Sequence, residues 1–169
     1  RVQLLQEALP KLSRVAVLWN SSFKSMTLGF QQIELAAPSR GVTVQSVRVS
    51  GSGDFDQAFA AITRERPGGL IVLFGPMRGD DLPRIIEFVS RNRLPAIFEL
   101  GRGVKEGGLM EFGPNLPELA RHVGIYIDKI ANGAKPADLP VEEPTRFELV
   151  INLKTARTRG LTIPPSLLA

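Results

Sequence analysis

The sequence predicts an α/β fold in which a doubly wound parallel sheet is flanked by helices. The first observation is that several short apolar runs are continuous rather than alternating, which is typical of strands that are buried on both faces. The second is that segments with apolar residues at helical spacing separate these runs. The third is that a chain of 169 residues, 43% of them hydrophobic, can bury a substantial core.

Strands and helices alternate in the first half of the chain. In chain order the predictions are a strand over residues 15–19, a helix over 26–37, a strand over 42–49 and a helix over 55–62. Pro38 and Pro67 are expected to end the two helices, because proline cannot continue one. Asp54 is expected to cap the second helix, since a short acidic side chain can accept a hydrogen bond from its first turn.

The second half repeats this alternation. In chain order the predictions are a strand over residues 70–74, a helix over 82–89, strands over 95–98 and 109–112, a helix over 116–130, a strand over 147–151 and a helix over 153–160. Asp80 and Asp81 are expected to open the first of these helices. Asn115 and Glu118 predict a capping box at the start of the longest helix, and Asn152 predicts a cap on the last one.

The composition excludes several kinds of chemistry. The chain has no cysteine, so it has no disulfide, no thiolate nucleophile and no cysteine-ligated metal. Its only histidine, His122, lies at the edge of a helical apolar stripe, where a surface or packing role is favoured over catalysis. Neither a Gly-x-Ser-x-Gly elbow nor a Walker loop occurs. We therefore expect no metal, no cofactor and no enzymatic activity.

The charge pattern does not favour nucleic acid as a partner. The formal net charge is +4, but the basic residues cluster at predicted helix ends, where they complement the helix dipole, and form no continuous stripe. Aromatic residues are not interleaved with them as base stacking requires. The longest apolar run has strand length, well below the roughly 18 residues of a membrane helix.

Ligands of doubly wound sheets bind beyond the carboxyl ends of the strands, where the strand order reverses. Four segments follow predicted strands in this way: residues 20–25, 50–54, 74–81 and 99–103. The candidate ligand-binding residues among them are Asn20, Ser21, Ser22, Phe74, Gly75, Pro76 and Glu99.

Each candidate also has a purely structural interpretation. Residues 20–22 could be a capped turn, residues 74–76 a tight turn, and Glu99 could be solvated or paired with Arg102. The glycine-containing loop at residues 51–54 resembles a phosphate cradle, but Asp54 would repel phosphate. A flexible loop that ends in a helix cap is therefore the favoured interpretation of that segment.

The long helix over residues 116–130 carries an apolar stripe that this sheet does not need. Enough helices are already predicted to cover both faces of the sheet, so we expect the helix to pack outside it, on a lobe that precedes Arg1. Without that lobe, the stripe from Leu116 to Ile130 would be exposed and would drive self-association.

Several segments together resemble the ABC transporter substrate-binding protein family that includes tryptophan- and tyrosine-type binding proteins. They are residues 15–20 (VAVLWN), 107–116 (GGLMEFGPNL), 132–142 (NGAKPADLPVE), 147–156 (FELVINLKTA) and 160–169 (GLTIPPSLLA). The resemblance implies a type I periplasmic-binding-protein-like fold, in which two α/β lobes close on a ligand. It also implies export to the periplasm and delivery of a solute to a membrane permease, without catalysis.

The resemblance further implies a division of the chain. Residues 1–113 would form the second ligand-binding lobe, residues 114–139 a crossover helix and connector that pack on the first lobe, and residues 140–169 a return strand and short helix. Phe112 would lie at the cleft and hinge. The leading expectation for the ligand is an aromatic or other amino-acid-like solute. The alternative is the effector-binding lobe of a lac-repressor-type transcription regulator, which uses a related fold.

Overall fold

A six-stranded sheet forms the centre of the computed structural model, which describes residues 1–73, 81–99 and 102–168. The strands are β1 (Arg14–Asn20), β2 (Thr43–Val49), β3 (Gly69–Leu73), β4 (Ala96–Phe98), β5 (Met110–Pro114) and β6 (Phe147–Ile151). Their order is β2-β1-β3-β4-β5-β6, and the four pairs from β2 to β5 are parallel. The predicted fold class is confirmed.

Six α-helices accompany the sheet in the described residues. They are α1 (Val2–Ala8), α2 (Lys24–Ala36), α3 (Phe55–Glu65), α4 (Asp81–Arg91), α5 (Leu116–Ala131) and α6 (Leu153–Thr158). All except α1 lie within a few residues of a predicted helix. Asp80, predicted to open α4 together with Asp81, lies outside the described residues. No helix in the described ranges is both long and apolar enough to cross a membrane.

Both faces of the sheet are covered, which explains why its central strands are apolar throughout. In β3, Ile71 and Leu73 pack in one cluster with residues of α1, α2 and α6. Leu70 and Val72, which alternate with them, pack in the other cluster with residues of α3 and α4. Because successive side chains of a strand point to opposite faces, a strand between two helical layers must be apolar at every position.

The order of the strands reverses between β1 and β3. The chain runs from β1 outward to β2 and then returns to the other side of β1 to form β3. This reversal of the strand order is the topology of a switch point, beyond whose carboxyl ends doubly wound sheets bind ligands. Asn20 ends β1 at this point, and residues 74–80 after β3 lie outside the described part of the chain.

The chain divides into two compact units. Unit 1 comprises Arg1–Phe112 and Leu149–Ala169, and unit 2 comprises Gly113–Glu148. Unit 2 contains α5, none of whose residues is buried. The exposed large apolar side chains of α5 are Leu116, Val123, Ile125, Ile127 and Ile130. The functional division at residues 113 and 139 stays a prediction.

Two of the predicted caps differ in detail from the structure. Asn115 caps α5 as predicted, because its Oδ1 accepts a hydrogen bond from the backbone N–H of Glu118 at 2.7 Å. The return bond of a capping box is replaced, since the N–H of Asn115 donates to the carbonyl of Arg146 at 3.0 Å. The prediction that Asp54 caps α3 is wrong: its side chain makes no cap hydrogen bond to that helix.

Candidate functional site

The turn after β1 contains three of the predicted ligand-binding residues. Asn20 Oδ1 accepts a hydrogen bond from the N–H of Ser22 at 2.9 Å. The N–H of Ser21 donates to the carbonyl of Val49 at 2.8 Å, and its hydroxyl points at the same carbonyl at 3.3 Å. The Ser22 hydroxyl donates to the carbonyl of Ser50 at 3.1 Å. The turn is thus capped and tied to the end of β2.

This turn keeps unused hydrogen-bonding capacity. Each serine hydroxyl donates to a backbone carbonyl, so its oxygen can still accept a hydrogen bond. The Asn20 amide uses its oxygen for the turn, and its NH₂ group donates to no group in the described residues. Asn20 and Ser21 are half-buried and Ser22 is exposed. The turn therefore offers one amide donor and two hydroxyl acceptors at the carboxyl end of β1.

The loop at residues 50–54 is held by its own side chains and by α4. The Asp54 carboxylate accepts hydrogen bonds from the N–H and the hydroxyl of Ser50, both at 2.7 Å, and these bonds lower its pKa. The Ser52 hydroxyl donates to Asp81 at 2.7 Å, and Arg84 donates to the Ser52 carbonyl at 2.9 Å. An ionised carboxylate at the mouth of the loop disfavours phosphate, and these contacts restrain a loop that the sequence predicts to be flexible.

Glu99 lies directly after β4 at the carboxyl edge of the sheet. Its N–H donates to the carbonyl of Val72 at 3.2 Å, and its Oε1 lies 3.3 Å from Nη2 of Arg1. Burial raises the pKa of Glu99, and the positive charge of Arg1 opposes part of that rise. The alternative prediction that Glu99 pairs with Arg102 is wrong, because Arg102 pairs with Glu106 at 3.0 Å, four residues along the chain.

Arg1 is a charged neighbour of the site that sequence reasoning missed. Its Nε and Nη2 donate to the carbonyl of Phe112 at 3.3 and 3.2 Å, in addition to the contact with Glu99. The side chain of Phe112 is half-buried and packs against the core of unit 1. No local signal could have shown these contacts, since 98 and 111 residues separate Arg1 from its two partners.

Three predicted site residues cannot be placed. Phe74, Gly75 and Pro76 lie outside the described residues, so their role as a pocket-lining turn stays a prediction. Among the predicted residues that the structure describes, the serines and Asn20 lie at the end of β1, Glu99 at the end of β4 and Phe112 in β5. All of them belong to unit 1.

Unit 2 contains a separate groove of about 740 Å³ between α5 and the segment 140–146. Apolar side chains of α5 line its floor, among them Val123 and Ile127. His122 lies at its rim with Nδ1 2.8 Å from Oε2 of Glu142. Within the described ranges no cluster of three His, Cys, Asp or Glu residues could hold a metal ion.

The chain is similar to proteins of known structure and to a curated relative. A curated tyrosine-binding protein of Clostridioides difficile (strain R20291) is 21% identical over 159 residues, which cover 92% of this chain and 45% of the relative. A solved ABC domain from Streptococcus pneumonia in complex with L-Trp superposes with a TM-score of 0.90 at 24% identity and covers 99% of this chain and 58% of that one.

A conserved domain protein from Vibrio cholerae superposes with a TM-score of 0.89 at 23% identity, covering 99% of this chain and 56% of that one. At these identities the solved structures establish the fold, and the chain spans about half the length of the proteins it matches. The family model described as ABC transporter substrate binding protein matches residues 1–169. The chain belongs to the ABC transporter substrate binding protein family.

Proposed function

We propose that this chain is one ligand-binding lobe of the solute-binding component of an ABC-type importer. The observation that carries the proposal is that the family model matches all 169 residues. The proposed place of the ligand is the switch point beside β1. It is supported by the strand order and by the Asn20 NH₂ group, which donates to no described residue, together with two hydroxyl acceptors. The ligand would lie between this lobe and a first lobe.

The protein would act by binding and not by catalysis. Its two lobes would close around the solute, and the ligand would shift the population toward the closed form because it contacts both lobes only there. The described part of the chain has no group of residues suited to hold a metal ion, and the sequence has no nucleophile motif. The family match over all 169 residues supports a binding role.

An amino-acid-like solute is the ligand class that the site chemistry fits best. The Asn20 amide can donate to a carboxylate, and the Glu99 carboxylate can accept from an ammonium group. The backbone carbonyl of Phe112 and the carboxylate of Glu99 both contact the guanidinium of Arg1. The names of the similar proteins, which specify tyrosine and L-Trp, agree with an aromatic member of this class.

Unit 2 would complete the first lobe. Its helix α5 has no buried residue, although five of its large apolar side chains form an exposed set. The relatives are about twice as long as this chain, so a first lobe would supply the surface that covers α5. The protein would act outside the cytoplasm, in the periplasm, and deliver its solute to a membrane permease. It would have no nucleic-acid partner.

The test is ligand titration of the full-length protein that contains this lobe. L-tyrosine and L-tryptophan are titrated calorimetrically, and their effect on thermal unfolding is measured. Binding stabilises the folded state in proportion to the logarithm of ligand concentration over Kd. In the wild type we expect both calorimetric binding and a shift of thermal unfolding to higher temperature. Asn20→Ala and Glu99→Ala should each lose about tenfold or more in affinity, because each removes a hydrogen bond to a charged group of the ligand.

Matched controls lie away from the proposed site. Asn92→Ala replaces an asparagine at the end of α4, which caps the carbonyl of Phe88. Glu106→Ala replaces an exposed glutamate that is paired with Arg102. Both controls should bind like the wild type. Unchanged affinity in Asn20→Ala and Glu99→Ala would contradict the proposed site, and the absence of any response in the wild type would contradict the ligand class.

The lac-repressor-type alternative predicts a different upstream sequence. A regulator would carry a helix-turn-helix segment before this lobe, whereas an exported binding protein would carry a signal peptide. The family match favours transport.

A further inference from the structure

A single arginine connects two points on the carboxyl edge of the sheet. The guanidinium of Arg1 approaches Oε1 of Glu99 at 3.3 Å and donates through Nε and Nη2 to the carbonyl of Phe112. Arg1 and Glu99 are both largely buried, with about a fifth of each side chain exposed (19% and 20%). Phe112 is the last residue of unit 1 before the chain enters unit 2 at Gly113.

Strand alternation explains why these groups meet. Ile97 of β4 and Met110 of β5 belong to the core cluster that also contains residues of α1. Glu99 and Phe112 each follow two residues later, so they fall on the same face of the sheet. Arg1 directly precedes α1 and therefore enters from that face.

The contact uses one carboxylate oxygen of Glu99 and leaves the other unsatisfied. Oε2 of Glu99 is buried and has no hydrogen-bond partner in the described structure. A buried acceptor without a partner is costly, and such a group in a folded protein calls for an explanation. A donor that arrives with a ligand would satisfy this oxygen, and a cationic nitrogen would do so most strongly because both partners are then charged.

We infer that Arg1 is a positioning residue of the proposed ligand site, holding Glu99 by Oε1 so that Oε2 accepts a hydrogen bond from a cationic nitrogen of the ligand. The inference rests on the proposed function, in which the ligand carries an ammonium group, and adds the residue that orients Glu99 toward it. Arg1 itself does not touch the ligand. Because Oε2 is buried, a ligand reaches it only when the atoms that cover it move.

The charge of Arg1 also favours the ionised form of Glu99, which is the form that binds a cation. Burial raises the pKa of Glu99, and the charge of Arg1 opposes this rise. Glu111 of β5 is in register with Phe98, so it lies on the opposite face of the sheet from Glu99. Among the described residues, Arg1 is the charged group whose field acts on Glu99. Removal of Arg1 should therefore favour the protonated, neutral acid.

The experiment compares amino acids with their des-amino analogues in the full-length protein. L-tyrosine is paired with 3-(4-hydroxyphenyl)propionate and L-tryptophan with indole-3-propionate, so each pair differs at the ammonium group. Calorimetry at pH 7.5 should show that the wild type prefers the amino acid by about tenfold or more. Glu99→Gln should reduce this preference by about the same factor and leave the affinity for the analogue within about twofold.

The arginine variants separate positioning from a merely structural role. As the pH is lowered, affinity for the amino acid should begin to fall at a higher pH in Arg1→Gln than in the wild type, because Glu99 loses the opposing charge of Arg1 and is protonated more readily. Arg1→Lys retains the charge and should restore the wild-type pH profile. Arg102→Gln and Glu106→Gln disrupt an exposed ion pair nearby and serve as controls that should behave like the wild type.

The outcomes distinguish the inference from the function on which it rests. If the wild type binds neither amino acid, the proposed ligand class is wrong and the inference fails with it. If the wild type binds but Glu99→Gln keeps its preference over the analogue, only the inference is overturned. If Arg1→Gln loses equal affinity for the amino acid and its analogue, and its pH profile of affinity matches that of the wild type, Arg1 has a structural role and the inference is overturned as well.

Discussion

At the scale of single residues, burial decides how an ionisable side chain affects stability. Glu99 and Asp54 both lie after strands, but their surroundings shift their pKa values in opposite directions. Burial raises the pKa of Glu99, whereas hydrogen bonds from Ser50 lower the pKa of Asp54. A raised pKa makes the folded chain hold the proton more tightly than the unfolded chain does, and a lowered pKa has the reverse effect.

Glu99→Gln should therefore alter how stability depends on pH. Because the folded chain binds the Glu99 proton more tightly, this proton contributes to the free energy of unfolding. The contribution is fully present below the unfolded pKa, near 4.5, and is lost as the pH rises through the higher folded pKa. We expect the wild type to lose stability relative to Glu99→Gln as the pH is raised from 4.5 toward neutrality, as measured by urea unfolding of this chain. A constant difference across that range would contradict the raised pKa.

Asp54→Asn should show the opposite sign. The stabilisation from ionised Asp54 is present above its unfolded pKa, near 3.8, and is lost as the pH falls through the lower folded value. The wild type should thus lose its advantage over Asp54→Asn as acid is added. Asp56→Asn, in the first turn of the following helix, is the matched control for a change of charge. Parallel unfolding curves for wild type and Asp54→Asn at all pH values would contradict the expectation.

At the scale of elements, the loop after β4 depends on two glycines that lie against Phe98. Phe98 is fully buried, and the loop passes over its ring. A Cβ on Gly103 would overlap the ring of Phe98, and a Cβ on Gly108 would lie 2.5 Å from the ring and 2.7 Å from the carbonyl of Gly103. Phe98 is held between strands and helices, so the loop would have to move.

Gly108→Ala should destabilise the chain by about 1–3 kcal/mol, the usual cost of forcing extra volume into a packed site. Gly103→Ala should have a comparable effect for the same reason. Gly51→Ala is the matched control, since its backbone is extended and no atom lies within 4 Å of the added Cβ. Urea denaturation of each variant measures the difference. Stability of Gly108→Ala equal to that of Gly51→Ala would show that the loop adapts freely.

The helix α5 depends on its N-cap more than a buried helix would. None of its residues is buried, so little packing within this chain holds its first turn. Asn115→Ala removes the acceptor for the N–H of Glu118 and should cost about 0.5–2 kcal/mol of local helix stability. Asn115→Ser keeps a capping oxygen and should retain most of it. Amide hydrogen exchange in the first turn of α5 is the measurement, and equal protection in both variants would contradict the cap's role.

At the scale of the whole molecule, the exposed apolar surface of unit 2 has consequences for association. Val123 and Ile127 expose 58% and 62% of their surface, and both line the groove between α5 and the segment 140–146. Large contiguous apolar patches are rare on isolated proteins and mark surfaces that bind another surface. In the proposed full-length protein the first lobe would cover the apolar surface of α5.

The chain by itself should therefore associate with further copies through α5. Sedimentation velocity over a range of concentrations should show association for the wild type and less of it for the double variant Val123→Glu/Ile127→Glu. Leu35→Glu is the matched control, because Leu35 is also apolar and 75% exposed but lies on α2 in unit 1. A wild-type chain that stays monomeric at high concentration would contradict this prediction.

The sequence determined the order and type of nearly all elements and the fold class. Short apolar runs between amphipathic helices are local patterns, and a strand such as β3 that is apolar at every position already implies a covered sheet. The helix α1 was not predicted, and at seven residues it is too short for a strong periodic signal. The sequence also placed Asn20, Ser21, Ser22 and Glu99 at or directly after the ends of their strands.

Only the tertiary structure decided which partners these side chains have. Glu99 meets Arg1 and not Arg102, because alternation along β4 and the position of α1 bring together residues that are 98 apart in the chain. Asp54 turns back to Ser50 instead of capping α3, because the loop is anchored to α4 through Ser52. Local periodicity specifies which face a residue occupies, whereas long-range packing selects the group that it meets there.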